Sequence, residues 1–197
     1  GLVNDADWTD VDGDGDMDLV VVGEWMKIRL FENRAGTFKE ITDQCGFGNT
    51  VGWWYSVHPA DVDQDGDIDL IAGNLGLNFK YKTDQSFRVY SNDFDLDGKQ
   101  DIVLAYKEKD MLYPAVSFDA TLRQIPVIGQ RYETFDAFAK ATMDEIYGKA
   151  ILDASYSRQV NSFASVWCEN KGNKTFEIHP LPNRAQLSSI NDVAETT

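Results

Sequence analysis

Three stretches of this chain repeat one spacing of aspartates, and like charges packed this tightly limit what the backbone around them can do. They are Asp10-Val-Asp12-Gly-Asp14-Gly15-Asp16-Met-Asp18, Asp61-Val-Asp63-Gln-Asp65-Gly66-Asp67-Ile-Asp69 and Asp93-Phe-Asp95-Leu-Asp97-Gly98-Lys99-Gln-Asp101. Each has Asp at positions 1, 3, 5 and 9 and Gly at position 6, then a branched apolar run. Four carboxylates within nine residues repel one another unless something neutralises them. A hard cation surrounded by oxygen ligands does so, and Ca²⁺ is the usual one. Gly at position 6 permits the sharp turn that returns the chain toward the ion.

The expected side-chain ligands are Asp10, Asp12, Asp14 and Asp18 in the first loop. Asp61, Asp63, Asp65 and Asp69 follow in the second, and Asp93, Asp95, Asp97 and Asp101 in the third. Position 7 varies among Asp16, Asp67 and Lys99. A lysine cannot replace an anionic ligand, so position 7 is expected to contribute its backbone carbonyl. Up to three Ca²⁺ ions are implied. An EF-hand does not fit, because it needs Glu at position 12 and a helix on each side. Position 12 is Val21, Ala72 and Leu104, within runs that favour strand. A set of metal-free acidic turns would explain one such segment better than three copies of it.

The residues between the loops read as β-structure. Leu19–Val22, Leu70–Ala72 and Ile102–Ala105 follow the loops as short strands, and Phe87–Asn92 runs as a strand into the third loop. Gly52–Val57, with Trp53-Trp54-Tyr55, reads as one buried strand before the second loop. Glu32-Asn33-Arg-Ala-Gly36 and Glu169-Asn170-Lys-Gly172 sit in the turns of two similar hairpins. The recurring unit of strand, acidic loop, strand and hairpin suggests propeller blades. Residues 119–157 break the pattern and read as a helical insertion. It comprises a short helix near Asp119–Gln124 stopped by Pro126, a helix capped by Thr134 with Phe135, Phe138, Ala139, Thr142 and Ile146 on one face, and another after Gly148. The expected organisation is therefore propeller blades over 1–118, the insertion over 119–157, and further propeller strands over 158–197. Ala185–Val193 reads as a strand leading toward a fourth loop.

Composition narrows the function. The chain has 197 residues and a formal charge of -15, with 33 acidic against 18 basic residues. Nucleic acid and anionic membrane surfaces call for clustered Lys and Arg, so neither is an expected partner. No apolar run approaches the length of a membrane-spanning helix, and the acidic start of the chain carries no signal-peptide pattern. Cys45 and Cys168 are either free or joined in one bridge. His58 and His179, each before a Pro, read as strand-end residues rather than ligands. Trp53, Trp54 and Tyr55 read as core rather than a sugar platform. Asp16 and Asp67 considered as a glycosidase pair would need a cleft, and no catalytic constellation is visible.

The three acidic loops resemble the FG-GAP/VCBS repeats of integrin-α-like β-propellers. The similarity is closer to a bacterial group of VCBS-repeat proteins associated with an ASPIC/UnbV-type region and related to cartilage acidic protein. Gly52-Trp53-Trp54, Gly73–Asn78, Tyr113–Val116, Phe138–Thr142 and Asn161–Ser165 add to the resemblance. It implies a mainly β fold, here part of a seven-bladed propeller with calcium loops and a helical insertion. It also implies export to the periplasm, cell surface or medium. The chain is too short for seven blades, so a fragment of a longer propeller is expected, with open blade edges offering a route to self-association.

The leading functional expectation is a non-enzymatic, calcium-stabilised module that binds or adheres to a protein or glycan ligand. The alternative is a polysaccharide-active enzyme, a lyase or hydrolase, on a calcium-bearing propeller scaffold. A lyase would need a base and a charge-neutralising group at one place, and Arg88, Arg123, Arg131 and Arg158 form no such cluster in sequence.

Overall fold

The computed structural model describes residues 1–195. The chain divides into two compact units, one built from Gly1–Lys80 together with the segment from Val160 on, the other from Tyr81–Gln159.

The first unit opens with β1 (Leu2–Thr9), the first acidic loop and β2 (Asp18–Met26), followed by the hairpin β3 (Arg29–Arg34) and β4 (Thr37–Glu40). These strands pair antiparallel in the order β1-β2-β3-β4. Alternation decides which side chains turn inward: Val20 and Val22 are buried in β2, while Leu19 and Val21 are only partly covered. Next come β5 (Gly52–Trp53), β6 (Ser56–Ala60), the second acidic loop and β7 (Asp69–Gly73).

In the second unit, β8 (Arg88–Asn92) leads through the third loop to β9 (Asp101–Glu108) and β10 (Met111–Pro114). Four helices follow: α1 (Phe118–Gln124), α2 (Phe135–Lys140), α3 (Met143–Tyr147) and α4 (Lys149–Ala154). After them β11 (Tyr156–Gln159) completes a sheet ordered β10-β9-β8-β11. Back in the first unit, β12 (Val166–Asn170) and β13 (Phe176–Pro180) join β7 and β6 in a sheet ordered β13-β12-β7-β6. In chain order the second unit thus falls between β7 and β12, which pair with each other. Among the described residues all strand pairing is antiparallel, and no helix is long and apolar enough to cross a membrane.

Each unit has its own core. Val20, Val22, Leu30, Phe47, Trp54, Leu70, Val166 and Cys168 are among the first. Tyr90, Val103, Phe118, Phe138, Met143, Ile146 and Leu152 are among the second, where the helices pack with the sheet. Cys45 and Cys168 are free and buried, and burial pushes the Cys45 thiol up to about 11.

Three local expectations are corrected. Gly52–Val57 is not one strand: β5 pairs with β2, whereas β6 pairs with β7. The Trp54 indole N–H donates to the Thr50 carbonyl at 2.8 Å, and the ring is buried, so the chain changes sheets at this anchor. The helix expected to carry Phe135 through Ile146 on one face is two helices. Ala141 is extended at ψ 139°, and Thr142 starts α3 with a capping box. Its Oγ1 accepts the Glu145 N–H at 3.3 Å, and Glu145 Oε2 accepts the Thr142 N–H at 2.8 Å. Residues 185–193 form no strand. Buried Gln186 instead ties this stretch down, accepting the Ser165 N–H at 2.9 Å and donating to the Ser165 and Leu181 carbonyls.

The capping box defines the start of α3, so Thr142→Ala is expected to lower stability by about 1 kcal/mol. Urea unfolding measures it; a change within a few tenths would show that tertiary packing alone sets the helix start.

Candidate metal centres

Each acidic loop joins two antiparallel strands, and the residue before position 1 pairs across to position 9. The pairs are Thr9↔Asp18, Ala60↔Asp69 and Asn92↔Asp101. The three loops then close through the same bonds. The position-1 carboxylate accepts the N–H of the glycine at position 6: Gly15 to Asp10 at 2.9 Å, Gly66 to Asp61 at 3.2 Å and Gly98 to Asp93 at 2.9 Å. The position-3 carboxylate accepts the position-5 N–H in every loop. The position-5 carboxylate accepts the position-7 N–H. The position-9 carboxylate accepts the position-2 N–H: Val11 to Asp18, Val62 to Asp69 and Phe94 to Asp101, at 3.0–3.1 Å.

Backbone geometry follows the same register. Position 6 has φ of 89°, 100° and 88°, the left-handed region where glycine is unstrained. Position 4 is left-handed as well, with φ of 72°, 63° and 63° at Gly13, Gln64 and Leu96. The sequence pattern had marked only position 6.

These turns gather oxygen donors. One carboxylate oxygen from each of Asp10, Asp12 and Asp18 lies within 4.8 Å of the others, and the same holds for Asp61, Asp63 and Asp65 and for Asp93, Asp95 and Asp101. Asp14, Asp69 and Asp97 stand outside these three-donor groups. In two loops the position-7 side chain has a partner of its own. Asp16 Oδ2 accepts the Ala35 N–H in the β3–β4 turn at 3.0 Å, and the Lys99 ammonium sits 2.8 Å from Asp97. Asp67 has a buried Oδ1 with no hydrogen-bond partner, and its carboxyl is pushed up to about 6 by burial and by neighbouring Asp65. Burial also raises Asp18, Asp63 and Asp101, reinforced by nearby loop carboxylates. A divalent cation bound by hard oxygen donors fits this donor set, because it would relieve the repulsion among the converging carboxylates.

The hairpins supply two residues that loop spacing alone did not identify. The Asn33 N–H donates to Asp18 Oδ1 at 2.7 Å, and its Nδ2 donates to the Met17 carbonyl at 3.0 Å. Asn170 repeats this, with its N–H on Asp69 Oδ1 at 2.7 Å and its Nδ2 on the Ile68 carbonyl at 3.1 Å. Asn170 Nδ2 also reaches the Val11 carbonyl at 3.0 Å, so this one side chain holds the first and second loops together. The matching Glu-Asn steps of the two hairpins were the available signal. A crevice of about 420 Å³ lies there, lined in part by Asp10, Asp12, Asp67, Ile68 and Asn170.

Lysine occupies part of the first loop. Lys174 Nζ lies 2.5 Å from Asp12 Oδ2 and contacts the buried Glu32 carboxylate, which Arg34 also pairs at 2.9 Å. Asp12 and Glu32 together hold the Lys174 ammonium well above the usual lysine range. A further group lies in β12 and β13, where Glu169, Glu177 and His179 converge. There His179 Nε2 is 2.9 Å from Glu169, which is also paired with Lys171.

Residues 10–72 match the family model of the FG-GAP-like repeat. The match runs from the first residue of the first loop into β7, and the third loop lies outside it. No curated protein and no solved structure matched the chain.

Asn170 is buried and saturated with bonds, whereas Asn33 is half-buried. Asn170→Ala strips two carbonyls of their donor and is expected to cost about 3 kcal/mol, against about 1 kcal/mol for Asn33→Ala. Chemical denaturation checks the order; equal effects would contradict the bridging role.

Proposed function

We propose that this chain is a calcium-binding, propeller-type module exposed outside the cytoplasm, where it binds or adheres to a protein or glycan ligand. Up to three Ca²⁺ ions act structurally, through the aspartates at positions 1, 3, 5 and 9 and the backbone carbonyls of Asp16, Asp67 and Lys99. The observation that carries this reading is the repetition of one closed loop geometry three times, each loop converging three carboxylate oxygens within 4.8 Å. The FG-GAP-like match over residues 10–72 supports a binding or adhesion role. Repeated loops of this kind serve to fix neighbouring strands; calcium would contribute folding energy rather than reactivity.

Location follows from affinity in this reading. Extracellular calcium modules bind on the order of 10⁻⁴–10⁻³ M, so they fill outside the cell and stay empty in cytosol. Bound ions would also offset part of the formal charge of -15.

Removing calcium with excess chelator is expected to lower the Tm by about 5 °C or more, and restoring calcium to recover it, because a ligand held well above its Kd stabilises the folded state by mass action. Calorimetry in chelator, calcium and magnesium measures this. An unchanged melting curve would contradict structural calcium. In parallel, a glycan and protein-ligand panel probed with the calcium-loaded chain tests the binding role, and turnover of a polysaccharide would overturn it.

A further inference from the structure

The first loop differs from the other two in carrying a partly buried cation delivered from a distant hairpin. Lys174 Nζ is 2.5 Å from Asp12 Oδ2 and also touches Glu32. The lysine side chain is 34% exposed, but the carboxylates it touches are only 7% and 2% exposed. The turn between β12 and β13 is shaped to deliver it. Asn173 and Lys174 are both left-handed, with φ of 51° and 62°, and the Lys171 N–H closes the turn on the Thr175 carbonyl at 2.8 Å. Asn170 holds the base of the same turn against the Val11 carbonyl within the first loop.

The other loops lack an equivalent. Among the described residues, no ammonium or guanidinium pairs with Asp61, Asp63, Asp65, Asp67 or Asp69. In the third loop Lys99 pairs with Asp97, but its side chain is 82% exposed, and such a surface pair is weak and screened by salt.

Glu32 gives Lys174 a second anchor: this fully buried carboxylate pairs with both Lys174 and Arg34, so the ammonium keeps a contact even if Asp12 turns to another partner. A divalent ion entering the first loop therefore meets a fixed positive charge on one of its ligands. We propose that Lys174 sets the metal affinity of the first loop: a tethered ammonium that partly neutralises the loop, competes with the dication at Asp12, and makes this loop the last of the three to fill. The inference rests on the calcium reading above and assigns different affinities to loops whose ligand patterns are the same. In this reading Lys174 serves as the first loop's counter-ion when calcium is low.

The test is a calcium titration of the full ¹⁵N-labelled chain, followed at the amides of Gly15, Gly66 and Gly98. Each of these donates to its own loop's position-1 carboxylate and so reports on that loop. In the wild type, Gly15 should respond at higher calcium than Gly66 and Gly98. Lys174→Met should lower the Gly15 midpoint by about thirtyfold, the scale set by a unit charge and a double charge about 4 Å apart in a water-like dielectric. The Gly66 and Gly98 midpoints should stay within about twofold. Because Lys174→Met leaves Glu32 with Arg34 alone, the double variant Glu32→Gln/Lys174→Met is the second arm, and it should also lower the Gly15 midpoint. An unchanged Gly15 midpoint in both variants would overturn the proposal. So would a raised one, which would make Lys174 a residue that positions Asp12 for the ion. If none of the three glycines responds to calcium in any protein, the calcium reading itself fails, a result distinct from three responding sites that ignore Lys174.

Discussion

The structure depends on burying a carboxylate at the end of each acidic loop and giving its oxygens partners. Asp18 and Asp69 show how this is done. In each, one oxygen accepts an N–H from inside its own loop and the other accepts an asparagine N–H from a hairpin on the neighbouring strand. Both side chains are fully buried, where an unpaired charge would be prohibitive. The position-9 aspartate therefore has two roles. It fixes the loop against the sheet, and in the first and third loops it also places an oxygen donor among the converging carboxylates. Asp101 is held by the Phe94 N–H in the same way, without an asparagine from a following hairpin.

That constraint explains why one loop design tolerates different surroundings. The first two loops lie in sheets that share a core and are joined by Asn170, whose side chain reaches carbonyls in both. The third belongs to a unit with its own core, inserted into the chain between β7 and β12. There, helices follow the sheet strands where the other sheets have a hairpin. The four loop-closing bonds persist because they are local, requiring only aspartates at fixed spacing and two left-handed residues. What differs is the electrostatic surrounding: a partly buried Lys–Glu contact at the first loop, a carboxyl pushed up toward neutrality at the second, and an exposed lysine at the third.

The parts of this arrangement that were legible in sequence are those with short-range causes. The strands after the loops follow from alternating branched residues, α1 from Pro126, and the hairpins from their Asn and Gly turn residues. The start of α2 at Thr134 is likewise local, since its Oγ1 accepts the Ala137 N–H at 3.2 Å. The failures share a long-range cause. The switch of sheets at Trp54 depends on which strands its neighbours pair with. The stretch after Gln186 is decided by a buried amide reaching back 21 residues to Ser165. Asn170 is 159 residues from the Val11 carbonyl it binds, and Lys174 lies far along the chain from Asp12. The break between α2 and α3 is local but competitive: Thr142 can continue a helix or cap one, and Glu145 three residues later decides for the cap.

The central claim is that the three acidic loops are divalent-ion sites and not merely hydrogen-bonded turns. Counting bound ions on the full chain tests it most directly, by native mass spectrometry after equilibration in millimolar calcium with a magnesium control. The account predicts up to three calcium ions per chain, with Asp63→Asn removing one of them. A chain that carries no more calcium than magnesium, and the same small amount with or without Asp63, would contradict it.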